Sequence, residues 1–494
     1  MAPRYIGITP DEVIWTNLKL QWWERLVKVA TTTAAVSALV LFWSIPVAIV
    51  GTISNITYLT EKVHFLSFIN KIPSQILGII TGLLPAVMLA VLMALLPVVL
   101  RMLSRIAGEP SLSNVELRVQ NMYFAFQVIQ VFLVTTMTSA ASSVAAQIAK
   151  DPSSATGILA QNIPKASNFY ISFMLLQGLA ISSGALLQIV GLVLYKLLGM
   201  LLDNTPRKQW RRWSSLSGLG WGTVFPIYTN ITVIAITYSM IAPLVLAFAV
   251  IGLGLLYWAY RYNFLFVYNV NIDTKGLVYP RALYQTLTGV YLAEICMIGL
   301  FAIRKAAGPL ILQIIFLIFT ILFQLSLSSA VEPLLKFLPK NLEKEEEQLL
   351  TVEDGDIDEP SSSLPPKGST TQPMSGNQLS APGKQGTIRE YLSRFLHPET
   401  YESYAHMRKV IPQDYPTVVY DPEVERDAYF NPAIASKSPV LWIPRDEGGI
   451  SLQEVAHTGG VIGISDGGAI VNEKSKVVWI EGEFPPDWQE KPLY

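Results

Sequence analysis

Charged residues are scarce in this sequence. Only 15% of its 494 residues are Asp, Glu, Lys or Arg, whereas 51% are hydrophobic, and a soluble domain usually carries about 25% charged residues. Lys and Glu concentrate after Asn341, while earlier stretches run for more than 20 residues without a charge. About 20 apolar residues are needed to cross ~30 Å of hydrocarbon. The sequence therefore predicts an integral membrane protein, and its net charge of −1 gives no sign of a nucleic-acid partner.

Cysteine, histidine and enzyme motifs are also nearly absent. The single cysteine, Cys296, lies in an apolar run, so it forms no intrachain disulfide and is expected to act as a small buried hydrophobe. The four histidines are scattered through loops and tail, and the sequence contains no phosphate-binding glycine loop, HExxH motif or nucleophile elbow. We therefore predict no enzyme, no cofactor and no metal site.

Apolar segments predict about eight transmembrane helices, and hence an all-α membrane protein. They lie at 31–53, 74–100, 119–148, 167–199, 222–242, 244–260, 283–303 and 308–331. The third and fourth are too long for a perpendicular crossing, so tilt or projection into water is expected. A single helix from 222 to 260 would be nearly twice the membrane thickness, and we therefore predict a break at Pro243.

Lys and Arg are distributed unequally between alternate connections. Counting the N-terminal segment as zero, the even-numbered connections hold 14 of these residues and the odd-numbered ones hold 6. Because cytoplasmic loops are enriched in Lys and Arg, both termini are predicted to be cytosolic. The sequon at Asn55 is then expected in an outside loop.

Beyond the last predicted span the composition changes. The sequence predicts a cytosolic pre-membrane segment at 1–30, a membrane region at 31–335, a linker at 336–390 and a cytosolic tail at 391–494. The acidic, Ser- and Pro-rich composition of the linker is typical of disorder, so its deletion is expected to leave membrane insertion intact. In the tail, VIGIS, Asp466-Gly467-Gly468 and AIVNEKSKVVWI predict short strands joined by turns.

Several segments in fixed order resemble the calcium-permeable, stress-gated cation channels of the OSCA type, particularly the fungal members. They are APRYIGITPDEVIWTNL, FINKIPSQILGIITGLLPAVML, PKASNFYISFMLLQGLAISSGALLQ, YRYNFLFVYN, RALYQTLTGVYLAEICMIGLF and, in the tail, PVLWIPRDEGGIS. The resemblance covers about 1–335 and 391–494. It implies an anoctamin-like helical fold, a pore in each subunit of a homodimer, and gating by membrane tension or osmotic stress.

Two departures from that family stand out. Its members begin with three further transmembrane helices and a cytosolic RNA-recognition-like domain, so the resemblance implies a truncated member, an incomplete gene model or one piece of a split protein. The plant-type GxxxxxGE motif is matched by Gly178 and Gly184, but Ala185 stands at the acidic position. The resemblance therefore carries over no carboxylate there.

The resemblance places the conduction path among the first five spans of this chain, and the third span has a polar side. At 100° per residue, an arc of about 140° collects Gln120, Tyr123, Gln127, Gln130, Thr135, Thr138 and Ser142. Unpaired amides in hydrocarbon cost several kcal/mol, so these side chains need water or polar partners. We predict that Gln120, Gln127, Gln130 and Thr138 line a pore. Hydrogen bonding across packed helices is the alternative.

The fourth and fifth spans add further candidates. Gln177, Gln188 and Asn230 are predicted to line the pore, while Gly178 and Gly184 are candidates for a gating hinge or for close helix packing. Glu294 is the one acidic residue deep in a predicted span. Such a residue is a functional candidate by default, but we expect it to tether helices, through Tyr284, Tyr291 or Gln313, outside the ion path.

These observations favour a calcium-permeable cation channel opened by osmotic or mechanical stress. A phospholipid scramblase on the same fold and a non-conducting membrane scaffold remain alternatives, whereas no inverted repeat supports a secondary transporter. The expected partners are the lipid bilayer, calcium and other permeant cations, and a second copy of the chain. A multi-pass position in the plasma membrane is favoured over an internal membrane.

Overall fold

The computed structural model describes residues 10–43, 45–47, 74–134, 164, 167–336, 430–436 and 438–488, with isolated residues between 391 and 426. Thr138, the sequon at Asn55, the linker from 337 to 390 and the predicted C-terminal ends of the first and third spans lie outside these residues. The chain forms two compact units, one of residues 1–305 with 420–494 and one of residues 306–419.

The first unit begins with a 3-10 turn at Pro10–Glu12, α1 (Trp15–Leu18) and α2 (Trp22–Leu41). A capping box of Gln21 and Glu24 starts α2, because each side chain satisfies the backbone amide of the other. Next come α3 (Ser74–Ile106) and α4 (Leu112–Phe126), which the Ser111 side chain caps. α4 continues directly into a π-helical segment, Gln127–Val134.

The middle of the chain is also helical. It contains α5 (Ser167–Leu187), α6 (Ile189–Leu202), α7 (Pro206–Ser214), α8 (Trp221–Tyr238), α9 (Leu244–Phe266) and α10 (Val278–Ile303). The predicted break at Pro243 is confirmed, since this residue is the N-cap of α9. The fourth predicted span differs from the expectation of one helix at 167–199, because Gln188 separates α5 from α6.

Among the described residues, four helices are long and apolar enough to cross a membrane. They are α5, α9, α10 and residues Ala307–Glu332 of α11 (Ala307–Lys336), the helix of the second unit. This confirms a mostly helical membrane protein with several spans. The count of eight and the anoctamin-like arrangement stay predictions.

Helix packing in the first unit rests on two buried apolar clusters. One joins the π segment, α5, α8 and α9 through side chains such as Phe132, Tyr170 and Tyr238, and the other joins α2, α3 and α4. α5 lies against α9, and α8 against α10. These contacts gather α4, the π segment, α5 and α8 around the polar residues that the sequence singled out.

The tail forms a small module at residues 438–488. Its strands are β1 (Leu441–Trp442), β2 (Ile464–Ser465), β3 (Ala469–Val471) and β4 (Val477–Trp479). β1 pairs in parallel with β2, and β3 pairs with β4 as an antiparallel hairpin. Two short helices, α12 (Pro432–Ala435) and α13 (Ile450–Thr458), complete the described tail. The prediction of short strands joined by turns is confirmed.

Candidate functional site

Side-chain amides hold the interruption between α5 and α6. Gln188 has φ of 50°, in the left-handed region, and its Nε2 donates to the Ala185 carbonyl at 2.6 Å. The Nδ2 of Asn263, on α9, donates to the same oxygen at 2.8 Å. In an uninterrupted helix that carbonyl would accept the amide of Ile189. Both side-chain amides also lie within 3.4 Å of the Tyr268 hydroxyl. We call Ala185, Gln188, Asn263 and Tyr268 the break cluster.

The two hinge candidates on α5 have different surroundings. Gly184 lies one turn before the interruption, and a Cβ added there would meet nothing within 4 Å. A Cβ at Gly178 would lie 2.5 Å from the Cα of Gly252 on α9. Gly178 is therefore a close-packing position, and the helix is interrupted at Gln188. A gating role for either glycine stays a prediction.

The glutamines of α4 and the π segment are mostly buried against other helices. Gln120 is fully buried and donates from Nε2 to the Val278 carbonyl of α10 at 2.9 Å. Gln130 donates to the Val40 carbonyl of α2, while Gln127 is 9% exposed and lies one turn after Tyr123. Pore lining by these residues stays a prediction, and the bonds of Gln120 and Gln130 agree with the packing alternative.

The other predicted pore residues lie on α5 and α8. Gln177 is half-buried on α5, and Asn230 is buried on α8. The neighbour of Asn230, Thr229, donates to Oε1 of Gln285 on α10 at 3.2 Å, and Gln285 in turn approaches the Gln120 carbonyl at 3.4 Å. Polar contacts therefore join α4, α8 and α10.

Some of these buried amides have unmatched polar atoms. Oε1 of Gln120, Oδ1 of Asn230 and Oδ1 of Asn263 have no hydrogen-bond partner among the described residues. An unmatched buried amide oxygen is costly. Water reaching these atoms would remove that cost.

Glu294 and Cys296 lie on α10 and are both buried. Tyr291, one turn before Glu294, is near enough to interact with it electrostatically. Because both residues lie on α10, this contact joins no second helix, and the tethering role expected for Glu294 stays a prediction.

A partly buried ion pair joins α3 and α4, and its carboxylate also contacts α8. Glu116 on α4 is 3% exposed and accepts hydrogen bonds from Nε and Nη2 of Arg101 at 2.6 and 3.3 Å. Its Oε2 also accepts the amide of Gly222 at 2.9 Å, in the first turn of α8. A negative charge at a helix N-terminus is favourable. One carboxylate thus joins the end of α3 and the start of α4 to the first turn of α8.

A groove of about 540 Å³ runs between α2 and α4. Its polar lining includes Arg118, Asn121 and Thr33, and Arg118 pairs with Glu109 at 3.2 Å. Most of the remaining lining is apolar, comprising Val29, Val36, Val40, Leu41, Met122, Ala125 and Ile129. The groove therefore lacks a continuous polar surface along the described helices.

The tail module packs against α7. Arg207 pairs with Asp487 at 2.7 Å and donates to the Val440 carbonyl at 2.7 Å. Burial alone would raise the pKa of Asp487, but its hydrogen bond and charge contact with Arg207 lower that pKa overall. Within the module, the hydrogen bond from Arg445 holds the pKa of Asp466 below its usual range. These ion pairs are therefore formed at neutral pH.

Segments predicted on one side of the membrane do lie together. Oε2 of Glu12, before α1, accepts from the Ser113 hydroxyl in the first turn of α4, and Oε1 accepts from the Asp273 amide between α9 and α10. The segment before α8 pairs with the same loop, since the Asn269 amide donates to the Ser217 carbonyl at 3.0 Å. All these segments are even-numbered connections. The structure agrees with their common side, whereas the assignment of that side to the cytosol stays a prediction.

Sequence reasoning missed Asn263, Tyr268 and the Arg101–Glu116 pair. Asn263, like Gln188, could have been noticed as a polar amide in an apolar helix. Its contact with the residues around Gln188 could not have been predicted, because no sequence spacing relates residues on two different helices. Among the described residues, no group of three or more His, Cys, Asp or Glu side chains could hold a metal ion.

The fold and these buried polar contacts define a multi-pass helical membrane protein. Residues 28–301 match the family model described as the calcium-dependent channel, 7TM region, a description that also refers to phosphate. This match covers more than half of the chain, and the chain therefore belongs to that family.

Relatives come from fungi and plants. The chain is 40% identical to protein RSN1 of Saccharomyces cerevisiae, over 99% of this chain and 58% of the relative. It is 44% identical to phosphate metabolism protein 7 of the same yeast, over 68% of this chain and 34% of the relative. Identity to hyperosmolality-gated Ca2+ permeable channel 1.8 of Arabidopsis thaliana is 26%, over 69% of this chain and 43% of the relative. The chain spans less than two thirds of the length of each.

The tail also matches a family model. Residues 395–487 match a model described as an extracellular tail of 10TM proteins, and that description also refers to phosphate transport. In that description the tail is extracellular, whereas the distribution of Lys and Arg predicts a cytosolic tail in this chain. The descriptions of both family models and the name of the Arabidopsis relative refer to channels or transporters.

Proposed function

We propose that this chain is the membrane part of a calcium-permeable cation channel opened by osmotic or mechanical stress. The observation that carries the proposal is the interruption of the fourth span at Gln188, where the break cluster replaces a helix hydrogen bond with side-chain amides. An interrupted helix has two segments that can change their relative angle at low cost. The Arabidopsis relative named as a hyperosmolality-gated Ca2+ permeable channel supports this assignment.

The proposed route follows the polar side of α4 and the π segment, next to α5 and α8. Gln127 and Asn230 are its best-supported lining residues, because neither is tied to another helix by a described hydrogen bond. The unmatched oxygen of Asn230 supports contact with water when the route opens. Gln120 and Gln130 are less well supported, since each donates to a backbone carbonyl.

Lipid scrambling is the less supported alternative. A scramblase needs hydrophilic residues exposed along its full groove, because headgroups cannot cross bare hydrocarbon. Arg118 and Asn121 give the α2–α4 groove polar groups, but Val36, Val40 and Ile129 leave much of its wall apolar. The homodimer, the calcium preference and the plasma membrane location belong to this same proposal.

Patch recording from liposomes that contain the purified chain tests the function. Suction is expected to evoke cation currents that calcium carries. Lipid flux without current would favour the scramblase, and neither activity would favour the scaffold.

Cysteine accessibility tests the route in the same preparation. In a background with Cys296→Ala, Gln127→Cys is expected to react with a water-soluble thiol reagent under suction and to change the evoked current. Leu133→Cys is the matched control, because Leu133 packs against the apolar cluster around Phe132. Equal protection at both positions in folded protein would assign Gln127 to packing and overturn the route.

A further inference from the structure

α7 is joined firmly to the end of α6. Asp203, the C-cap of α6, forms an ion pair with Arg212 on α7 and is itself 7% exposed at its side chain. Nε2 of Gln209 donates to the Asp203 carbonyl at 3.1 Å. Only three residues separate the two helices, so a movement of α7 is transmitted to α6.

The tail module also binds α7, partly through the same Gln209 side chain. Gln209 donates to the Val477 carbonyl and accepts the Trp479 amide, both at 2.8 Å. Its primary amide thereby pairs with the outer edge of β4 as a neighbouring strand would. The rings of Trp213 and Trp479 lie 5.1 Å apart. Together with the Arg207–Asp487 pair, these contacts tie a segment far along the chain to the end of the interrupted span.

We propose that the tail module is a detachable latch: docked on α7, it restrains α6 from swinging about the break at Gln188. The latch is a regulation of the channel proposed above and rests on that function only for its effect on current. Its contacts suit reversible docking, because the Arg207–Asp487 pair is partly exposed and such pairs are individually weak. Release shifts the population toward conformations in which α6 is free to move.

Charge reversal at the pair tests the latch in the full-length chain. The variants are Arg207→Glu, Asp487→Lys and the two combined, with Arg211→Glu as the matched control. Arg211 lies on the same helix, is exposed and has no described contact with the tail. Spin labels at Met200→Cys on α6 and Val270→Cys in the loop after α9, with Cys296→Ala, report the position of α6. Both labelled positions are exposed.

Each single reversal is expected to broaden the distance distribution between the labels and to shift the current to lower suction. The combined variant is expected to restore both, while Arg211→Glu leaves them unchanged. An unchanged distribution in both single reversals would overturn the latch, as would the same broadening in Arg211→Glu. A broader distance distribution in the single reversals, with no current in any variant, would support the latch and contradict the proposed channel function.

A disulfide provides the opposite manipulation. Arg207→Cys with Asp487→Cys, oxidised in the Cys296→Ala background, is expected to fix the module on α7 and to raise the suction needed for current. Reduction is expected to reverse the shift. An oxidised pair that leaves both the α6 distances and the threshold unaltered would overturn the latch even if the charge variants fail to fold.

Discussion

At the scale of single residues, the Glu116 carboxylate connects three helices. It contacts Arg101 of α3 and the first turn of α8 while remaining buried on α4. Glu116→Ala is expected to lower the free energy of unfolding by about 2–3 kcal/mol, because the guanidinium and the amide both lose a charged partner. Thermal unfolding in detergent measures this loss.

The control for that substitution is Glu473→Ala, on the exposed turn between β3 and β4. We expect it to leave the unfolding temperature unchanged, since exposed sites away from special contacts rarely matter. If both variants unfolded at the temperature of the parent, the three-helix role of Glu116 would be wrong.

Residue identity predicted the buried acid Glu294 but not the buried acid Glu116. Glu294 lies in a long apolar run, where any charge attracts notice. Glu116 lies in a mixed stretch that reads as a membrane edge. Its burial depends on Arg101 and Gly222, and only the folded arrangement of three helices brings these together.

At the scale of helices, two glycines on α5 offer a matched comparison. Gly178→Ala places a methyl group against the Gly252 backbone, which cannot yield as a flexible side chain would. We expect a loss of about 2 kcal/mol in stability, typical of overpacking. Gly184→Ala meets open space and is expected to be neutral or to stabilise by up to ~1 kcal/mol, through helix propensity. Unfolding temperatures of the two variants test this order.

Stretch-evoked current adds a second readout to that comparison. If α5 bends at Gln188, Gly184→Ala is expected to keep the parental threshold. If Gly184→Ala changed the suction threshold of the current without changing stability, the result would support the gating hinge at Gly184 that the sequence predicts.

The periodicity of 100° per residue, from which the polar side of the third span is predicted, applies only up to Gln127. The arc assumes 100° per residue, and the π-helical segment Gln127–Val134 has a wider turn. Beyond Gln127 the arc therefore no longer predicts the direction in which each side chain points. Gln130, for example, donates to the Val40 carbonyl of α2. The interruption at Gln188 was equally hidden, because its left-handed backbone is stabilised by Asn263 from another helix. By contrast, proline signalled the break at Pro243 directly.

At the scale of the whole molecule, orientation is the main prediction. Lys and Arg favour cytosolic termini, whereas the tail family is described as extracellular. We expect Asn55 to be glycosylated, and an Asn-Gly-Thr sequon placed at the exposed turn 460–462 to stay unmodified. Mobility shifts after membrane insertion in microsomes measure both sites. Glycan on the tail and none at Asn55 would reverse the orientation.

Because the tail is docked on α7, the glycosylation experiment also reports on which side of the membrane other segments lie. Because the module packs on α7, and the loops before α1, α4, α8 and α10 contact one another, a single reporter in the tail assigns the side of every even-numbered connection. Counting basic residues predicted that these segments share a side, since the count follows chain order alone. Contact between them requires tertiary structure and could not be predicted from composition.

The pairing of Gln209 with β4 has a consequence for the solubility of tail fragments. A hairpin edge with free amide and carbonyl groups is a template for adding further strands. In the intact chain a side-chain amide occupies that edge, and Trp213 covers part of Trp479. A tail produced without α7 would expose both the strand edge and an indole ring. Its self-association would then be a property of the fragment, absent from the protein from which it was cut.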